Sequence, residues 1–300
     1  MKIVSFGSLN MDLVYIVDDF VKCGQTISSL KMGKYPGGKG LNQSIAAKRA
    51  GAEVLFAGSA GSDGKFLLDY LESNLIDSEY IKRSSEPSGH AIIQVNKKGE
   101  NCIIVHPGAN YDFDEKYIDV IFTYIEQTDI ILLQNEINMN KYIISEAKKR
   151  NLKVVFNPSP FTDEIFEYGP ENVSCFILNE DEGRAFTGKT KCLDILDKMS
   201  EVFPKAEIVL TLGENGAVAK KDSKVYRTGI FETSVEDTTG AGDTFTGYYL
   251  AAKISGANIS GCLRLASAAS ALCVSKKGAA ISIPLLAEVE DFMRRYNKEL

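Results

Sequence analysis

Residues 236–254 read "EDTTGAGDTFTGYYLAAKI": acids and threonines, then Gly-Ala-Gly directly ahead of an aspartate, then an apolar run. Gly240 and Gly242 permit a tight turn with no side chain in the way. From Thr244 onward the apolar positions recur at helical spacing. The stretch therefore reads as a glycine turn feeding a helix N-terminus, with Asp243 in the first turn. Free backbone N–H groups at such an end attract anions, phosphates above all. A carboxylate beside a phosphate meets repulsion, so two readings of Asp243 stand side by side. It complements the helix dipole, or it acts as a general base.

What precedes this turn sets its place in a fold. Short apolar runs, "KIVSFG" (2–7), "EVLFAG" (53–58), "DIILLQ" (129–134), "KVVFNP" (153–158), "CFILNE" (175–180) and "EIVLTLG" (207–213), read as strands. They are continuous rather than alternating, as in strands buried on both faces. Between them, "GLNQSIAAKRAG" (40–51), "DGKFLLDYLESN" (63–74), "DEKYIDVIFTYIEQ" (114–127) and "NKYIISEAKKRN" (140–151) read as helices. This alternation predicts an α/β fold with a mostly parallel sheet covered on both faces, which binds ligands at the carboxyl ends of its strands.

Two regions break the rhythm. Residues 12–36 hold "DLVYIVDD" and most of "TISSLKMGKYPGG", extended segments with no helix between them. Residues 89–107, "GHAIIQVNKKGENCIIVHP", read as a hairpin turning at "KKGE". Together they predict a small separate sheet, a candidate lid. Its apolar strands ("VYIV", "AIIQV", "CIIV") invite pairing, and the expectation is a homodimer meeting through the lids. "GAVAKKDSKVYRTGI" (216–230) reads as a second hairpin at a sheet edge.

The bulk properties exclude several classes. A net charge of −6 without clustered basic residues argues against a nucleic-acid surface. Six dispersed cysteines with no CxxC read as reduced thiols in a cytoplasmic protein. With two histidines, His90 and His106, a zinc centre or Ser-His-Asp chemistry is not expected, and both read as lining or packing residues. No apolar run approaches a membrane span.

Polar motifs cluster where strands end. "GSLNMD" (7–12) puts Asn10 and Asp12 after the first strand, suited to bonding hydroxyls, though on this motif alone an Asx-turn at a strand end is the favoured reading. "PGGKGLNQS" (36–44) offers Gly37, Gly38 and Gly40 for close backbone approach, with Lys39 and Asn42 at a helix start. It has neither Walker A nor GxGxxG spacing. "NPSP" (157–160) and "NEDEG" (179–183) follow further strands, and Asn179 and Glu182 are hard oxygen groups suited to Mg²⁺ through water. "TLGENG" (211–216) is a glycine turn able to pass close to an adenine or ribose.

The order of "GSLNMD", "GGKGLNQ", "HPGAN", "NPSP", "NEDE", "TLGENG", "DTTGAGDTF" and "KKGAAISIP" resembles that of the ribokinase-like carbohydrate kinases nearly end to end. The resemblance implies one kinase domain over residues 1–300, a Rossmann-like three-layer core and a lid formed by about 12–36 and 89–107. It implies ATP-dependent phosphorylation of a sugar, D-ribose at its 5-hydroxyl, with Mg²⁺ and K⁺. Kinases of another sugar, a sugar phosphate or a nucleoside are the alternatives, and a catalytically silent binding protein on the same fold is a further one.

On this resemblance Asp243 is the general base, and Gly240, Ala241 and Gly242 form the anion hole. Asn10, Asp12, Gly38, Lys39, Gly40, Asn42 and Glu136 hold the sugar. Asn179, Thr211, Gly213, Gly216, Gly242 and Ser267 lie along the nucleotide, with Glu182 near Mg²⁺. Asp237, Thr239, Cys273, Lys276, Gly278 and Ser282 form the monovalent-cation loops, mostly through backbone carbonyls. The chain departs from the pattern at Ser267, where members often carry a larger polar residue, and around Glu136 in "QNEIN".

Overall fold

A computed structural model describes residues 1–299. The chain begins with β1 (Ile3–Phe6), β2 (Asn10–Ile16) and β3 (Lys31–Gly37), then α1 (Lys39–Arg49), β4 (Val54–Ala60), α2 (Lys65–Ser73) and β5 (Ile81–Arg83). A hairpin of β6 (Gly89–Val95) and β7 (Asn101–His106) precedes α3 (Glu115–Phe122), β8 (Ile130–Gln134), α4 (Asn140–Lys149) and β9 (Lys153–Asn157). Then come β10 (Cys175–Asn179), α5 (Glu180–Thr187), α6 (Cys192–Val202), β11 (Glu207–Thr211) and the hairpin β12 (Ala217–Lys221), β13 (Lys224–Thr228). Helices α7 (Ala241–Ile254), α8 (Ile259–Val274) and α9 (Leu286–Glu299) complete the order.

The strands form a nine-stranded sheet, β13-β12-β11-β10-β9-β8-β1-β4-β5, and a four-stranded sheet, β3-β2-β6-β7. From β11 to β5 the large sheet is parallel, and the β12–β13 hairpin extends it antiparallel at one edge. Continuous apolar runs suit this setting because each strand feeds two cores. Ile3, Ile130, Leu132, Val155 and Val209 pack with α1, α2, α7 and α8, while Val4, Ile131, Leu133, Phe156 and Leu210 pack with α3, α4 and α6.

The order of connection positions the site. From β1 the chain moves outward through β4 and β5, then crosses back to β8 on the other side of β1. The crevice at that reversal is where open α/β sheets receive ligands. The carboxyl ends of β1, β8, β9, β10 and β11 lie in a row there, and they carry the polar motifs.

One helix is shorter than its pattern predicts. Residues 114–127 read as helical, yet α3 ends at Phe122. Asp129 explains the early stop: its carboxylate accepts the N–H groups of Glu126 and Lys2, each at 2.8 Å, drawing the chain into β8 beside β1. Asp114 caps the other end by accepting the Tyr117 N–H. Among the described residues, no helix is long and apolar enough to cross a membrane.

Candidate active site

Asp243 lies in the first turn of α7 and is 8% exposed. Gly240 precedes the helix at φ 79°, a left-handed conformation natural to glycine. No side chain caps this end, so the Gly242 and Asp243 N–H groups stand where no helical carbonyl precedes them. Helix α1 holds the carboxylate: Asn42 Nδ2 donates to Oδ2 and Gln43 Nε2 to Oδ1, both at 2.9 Å. Gln43 is itself pinned, donating to Asn157 Oδ1 and accepting from Gln134 Nε2, each at 2.9 Å. The helices come this close because Gly247 has no side chain. A Cβ there would lie 2.4 Å from Ala46 Cβ and 2.6 Å from the Gln43 carbonyl oxygen. Favouring a helix dipole requires none of this; two amides arranged around a buried carboxylate fit a group that must be aimed.

Beside it, the ends of β1, β2 and β8 gather a second polar cluster. Glu136 Oε2 accepts from Ser8 Oγ at 2.5 Å and from the Lys39 N–H at 2.9 Å. Ser8 Oγ also accepts the Gly40 N–H, while Gly38 joins β3 to α1 at φ 95°. Asn10 Oδ1 accepts from Asn110 Nδ2 at 2.7 Å, and Asn110 Oδ1 accepts the Leu9 N–H. Burial pushes the Asp12 carboxyl up to about 7, with the charges of Glu136 and Asp243 adding to it. Burial also raises Glu136, against the opposing charge of Lys39 and its two hydrogen bonds. For Lys39, burial disfavours the charge, but Asp243, Glu136 and Glu182 outweigh it and hold the ammonium above its ordinary value. The structure thus brings together Asn10, Asp12, Gly38, Lys39, Gly40, Asn42, Glu136 and Asp243.

Two adjoining cavities open on the other side of Asp243. The smaller, about 230 Å³, is lined by Lys39, Asn157, Asn179, Glu182, Gly240 and Asp243 among others. Asn179 and Glu182 form the capping box of α5, each side chain accepting the other's backbone N–H. Burial holds the Glu182 carboxyl above its ordinary range despite that bond. The larger cavity, about 560 Å³, is lined by Thr211, Gly213, Gly216 and Ser267. Thr211, Thr238 and Gly242 border both. The expected nucleotide residues are therefore divided, with Asn179 on the Asp243 side and Ser267 in the larger space.

The expected cation loops also meet. Asp237 Oδ1 accepts the N–H and hydroxyl of Thr239, and Oδ2 accepts the Gly278 N–H at 2.9 Å. Burial pushes Asp237 up, but the bonds from Thr239 and Gly278 outweigh it and keep the carboxyl below its ordinary value. Cys273 Sγ lies 3.0 Å from Ser282 Oγ. The Lys276 side chain turns away to pair with Glu288, leaving only its backbone for the loop.

Several contributors carry no role in the sequence reading, though most of them sit inside its quoted motifs. Gln43, Gln134 and Asn157 form the network behind Asp243, and Ser8 and Asn110 brace Glu136 and Asn10. Ile230, Phe231, Thr233 and Val235, beyond β13, line the larger cavity. The one signal for that segment was apolar residues persisting after the hairpin had ended.

A buried acid at a helix N-terminus, a hydroxyl-bonding cluster on one side and connected cavities on the other define a group-transfer site on a sheet of this topology. Residues 1–286 match the pfkB family carbohydrate kinases, and the chain belongs to that family. It is similar to the ribokinase of Haemophilus influenzae, 33% identical with 96% of each chain covered. The Bacillus subtilis ribokinase is 30% identical, with 97% of this chain and 99% of the relative covered. Among solved structures, Thermotoga maritima ribokinase shares 33% identity at a TM-score of 0.87, covering 98% of this chain and 99% of the other. Arabidopsis thaliana ribokinase complexed with ribose and ATP gives a TM-score of 0.88 at 28% identity, covering 98% of each.

Proposed function

We propose that this chain transfers the γ-phosphoryl group of ATP to the 5-hydroxyl of D-ribose. The observation that carries the reading is Asp243, held by Asn42 and Gln43 between the hydroxyl-bonding cluster and the smaller cavity. In this reading Asn10, Asp12, Lys39, Asn42 and Glu136 bind the sugar. Asp243 accepts the proton of the attacking hydroxyl, whose oxygen forms the new bond to phosphorus as the bond to ADP breaks. The N–H groups at the start of α7, across Gly240, Ala241, Gly242 and Asp243, receive the charge that develops on the transferred group. The nucleotide base and ribose occupy the larger cavity, beside Gly213, Gly216 and Ser267. The β3-β2-β6-β7 sheet acts as a lid that excludes water, which would otherwise compete for the phosphoryl group.

The donor set fits Mg²⁺ delivered with the nucleotide. Glu182 offers hard oxygen near Asp243, and among the described residues no cluster of three or more His, Cys, Asp or Glu forms a metal cage. An ion held by one carboxylate, water and phosphate is the usual arrangement for Mg²⁺, and it would neutralise phosphate charge. The Asp237 carboxylate, kept ionised between the loops at Thr239 and Gly278, fits a monovalent cation, which we assign to K⁺.

Sugar identity rests on the cluster's chemistry. It holds one lysine and no arginine, whereas a phosphorylated sugar requires additional cationic groups to pair its dianion. A panel of ribose, fructose, fructose 6-phosphate and adenosine, with coupled ADP detection, tests the assignment. Ribose should give the highest kcat/KM; a tenfold preference for fructose 6-phosphate or adenosine would overturn it.

A further inference from the structure

The chain has two histidines, and the fold brings both to one spot. His90 and His106 are direct cross-strand partners in the β6–β7 ladder. Their ring centroids lie 5.1 Å apart with planes inclined at 46°. A centroid separation of this size is short enough for one nitrogen of each ring to reach a single ion whose bonds to nitrogen are about 2.0–2.1 Å. His106 is exposed and His90 half-buried, so the pair is open to solvent from one side.

His90 is also oriented. Its Nδ1 lies 3.3 Å from the Ser88 carbonyl oxygen. A carbonyl only accepts, so Nδ1 carries the proton in this contact and Nε2, on the far side of the ring, is the nitrogen left to face an ion. A carbonyl accepting from one ring nitrogen in this way fixes tautomer and ring direction in metal-binding histidines.

The position separates this pair from the kinase site. Asp12 and Ala91 are register partners in the β2–β6 ladder, and side chains alternate between faces along a strand. His90 therefore lies on the face opposite Asp12, at the root of the small sheet, next to Gly89, the partner of Asn10.

We propose that His90 and His106 form a two-imidazole site for a borderline divalent transition cation: Zn²⁺, Ni²⁺ or Cu²⁺. Hard Mg²⁺, which takes oxygen ligands, does not compete for it. Among the described residues no third His, Cys, Asp or Glu completes a cluster, so water fills the remaining positions and the ion exchanges freely. A bound ion clips β6 to β7 where the small sheet joins the core.

The test needs neither sugar nor nucleotide, so its outcome is independent of the proposed activity. Cys23 and Cys102 are exposed thiols, so the parent protein for every arm carries Cys23→Ser and Cys102→Ser. ZnCl₂ is titrated by calorimetry and by NMR of the histidine ring C–H signals, with MgCl₂ as control and thermal melting as the check on folding. One Zn²⁺ per chain should bind, and both histidines' signals should move together. His90→Gln or His106→Gln should weaken binding by roughly 100-fold or more, since losing a ligand costs more than losing a group that merely orients one. Ring signals unmoved by Zn²⁺, or a folded variant that binds Zn²⁺ like the parent, would overturn the proposal.

Discussion

Replacing Asp243 by Asn tests the proposed base, and the surrounding amides dictate how the variant must accommodate it. Both carboxylate oxygens accept from amide groups, Asn42 Nδ2 and Gln43 Nε2, at 2.9 Å. An Asn side chain has one oxygen, so its NH₂ group must face one of these donors. Gln43 cannot turn over, because Gln134 donates to its Oε1 and its Nε2 also serves Asn157. Asn42 can, since its Oδ1 is buried without a partner. The variant should therefore keep its oxygen toward Gln43 while Asn42 flips, which moves one unpaired polar atom rather than adding several. The stability loss is then bounded by a single buried unsatisfied group, roughly 1–3 kcal/mol, a few degrees in Tm for a chain of this size. Turnover should fall by roughly 10²-fold or more, the scale of a positioned base. Coupled ADP detection and thermal melting, run on the same preparation, separate the two effects. A folded variant that retains turnover within tenfold of wild type would remove Asp243 from its role and reopen the silent-protein reading.

Gln43→Leu strips partners from Gln134, Asn157 and Asp243 at once, costing roughly 1–3 kcal/mol for each buried group left unpaired; kcat should fall more than KM changes, and an unchanged kcat in a folded variant would count against the network. For Asp12, the folded carboxyl titrates near 7 against an unfolded value of 3.8, so the folded state holds the extra proton and stability declines as pH rises across that window. Asp12→Asn should thus be more stable than wild type at pH 8 but not at pH 4, by about 2 kcal/mol once partial exposure is allowed for, read as a higher Tm; equal differences at both pH values would refute the coupling. K⁺ should activate the enzyme where Na⁺ substitutes poorly, and identical rates in K⁺, Na⁺ and a bulky organic cation would dismiss the Asp237–Gly278 loops as a cation site. Ile103 and Val105 leave 49% and 58% of their surface exposed on β7, and we expect a homodimer through this sheet; a monomer by sedimentation at micromolar concentration would refute it.

Much of the large sheet was readable because its strands are buried on both faces. "DIILLQ" and "CFILNE" are continuous apolar runs for that reason, as Ile131 and Leu132, neighbours in sequence, enter different cores. The strand-end motifs were equally visible, because several of them follow such runs in one order, which turn chemistry at any single strand end does not require. Gln43 was not. A glutamine on a helix ordinarily reads as solvated, and its partners Asn157 and Asp243 are separated from it by 114 and 200 positions. Its role exists only once Gly247 lets α7 settle against α1. The early end of α3 was hidden likewise, since it depends on Asp129 reaching both Glu126 and Lys2.

The carboxylate cluster implies a further property of the proposed reaction. Asp12, Glu136 and Asp243 crowd one side of the site, while Lys39 answers Glu136, Asp243 and Glu182 together. One cation cannot neutralise so many acids, and without substrate part of the imbalance is relieved by the proton that Asp12 holds near pH 7. A sugar hydroxyl donating to Asp12 stabilises its charged form and drives that proton off, because hydrogen bonds to a carboxylate lower its pKa. In the proposed reaction, sugar binding near neutral pH is then coupled to release of the Asp12 proton. The arrangement favours ordering the sugar before the phosphoryl group is committed, since a site still protonated at Asp12 grips the acceptor hydroxyls less well.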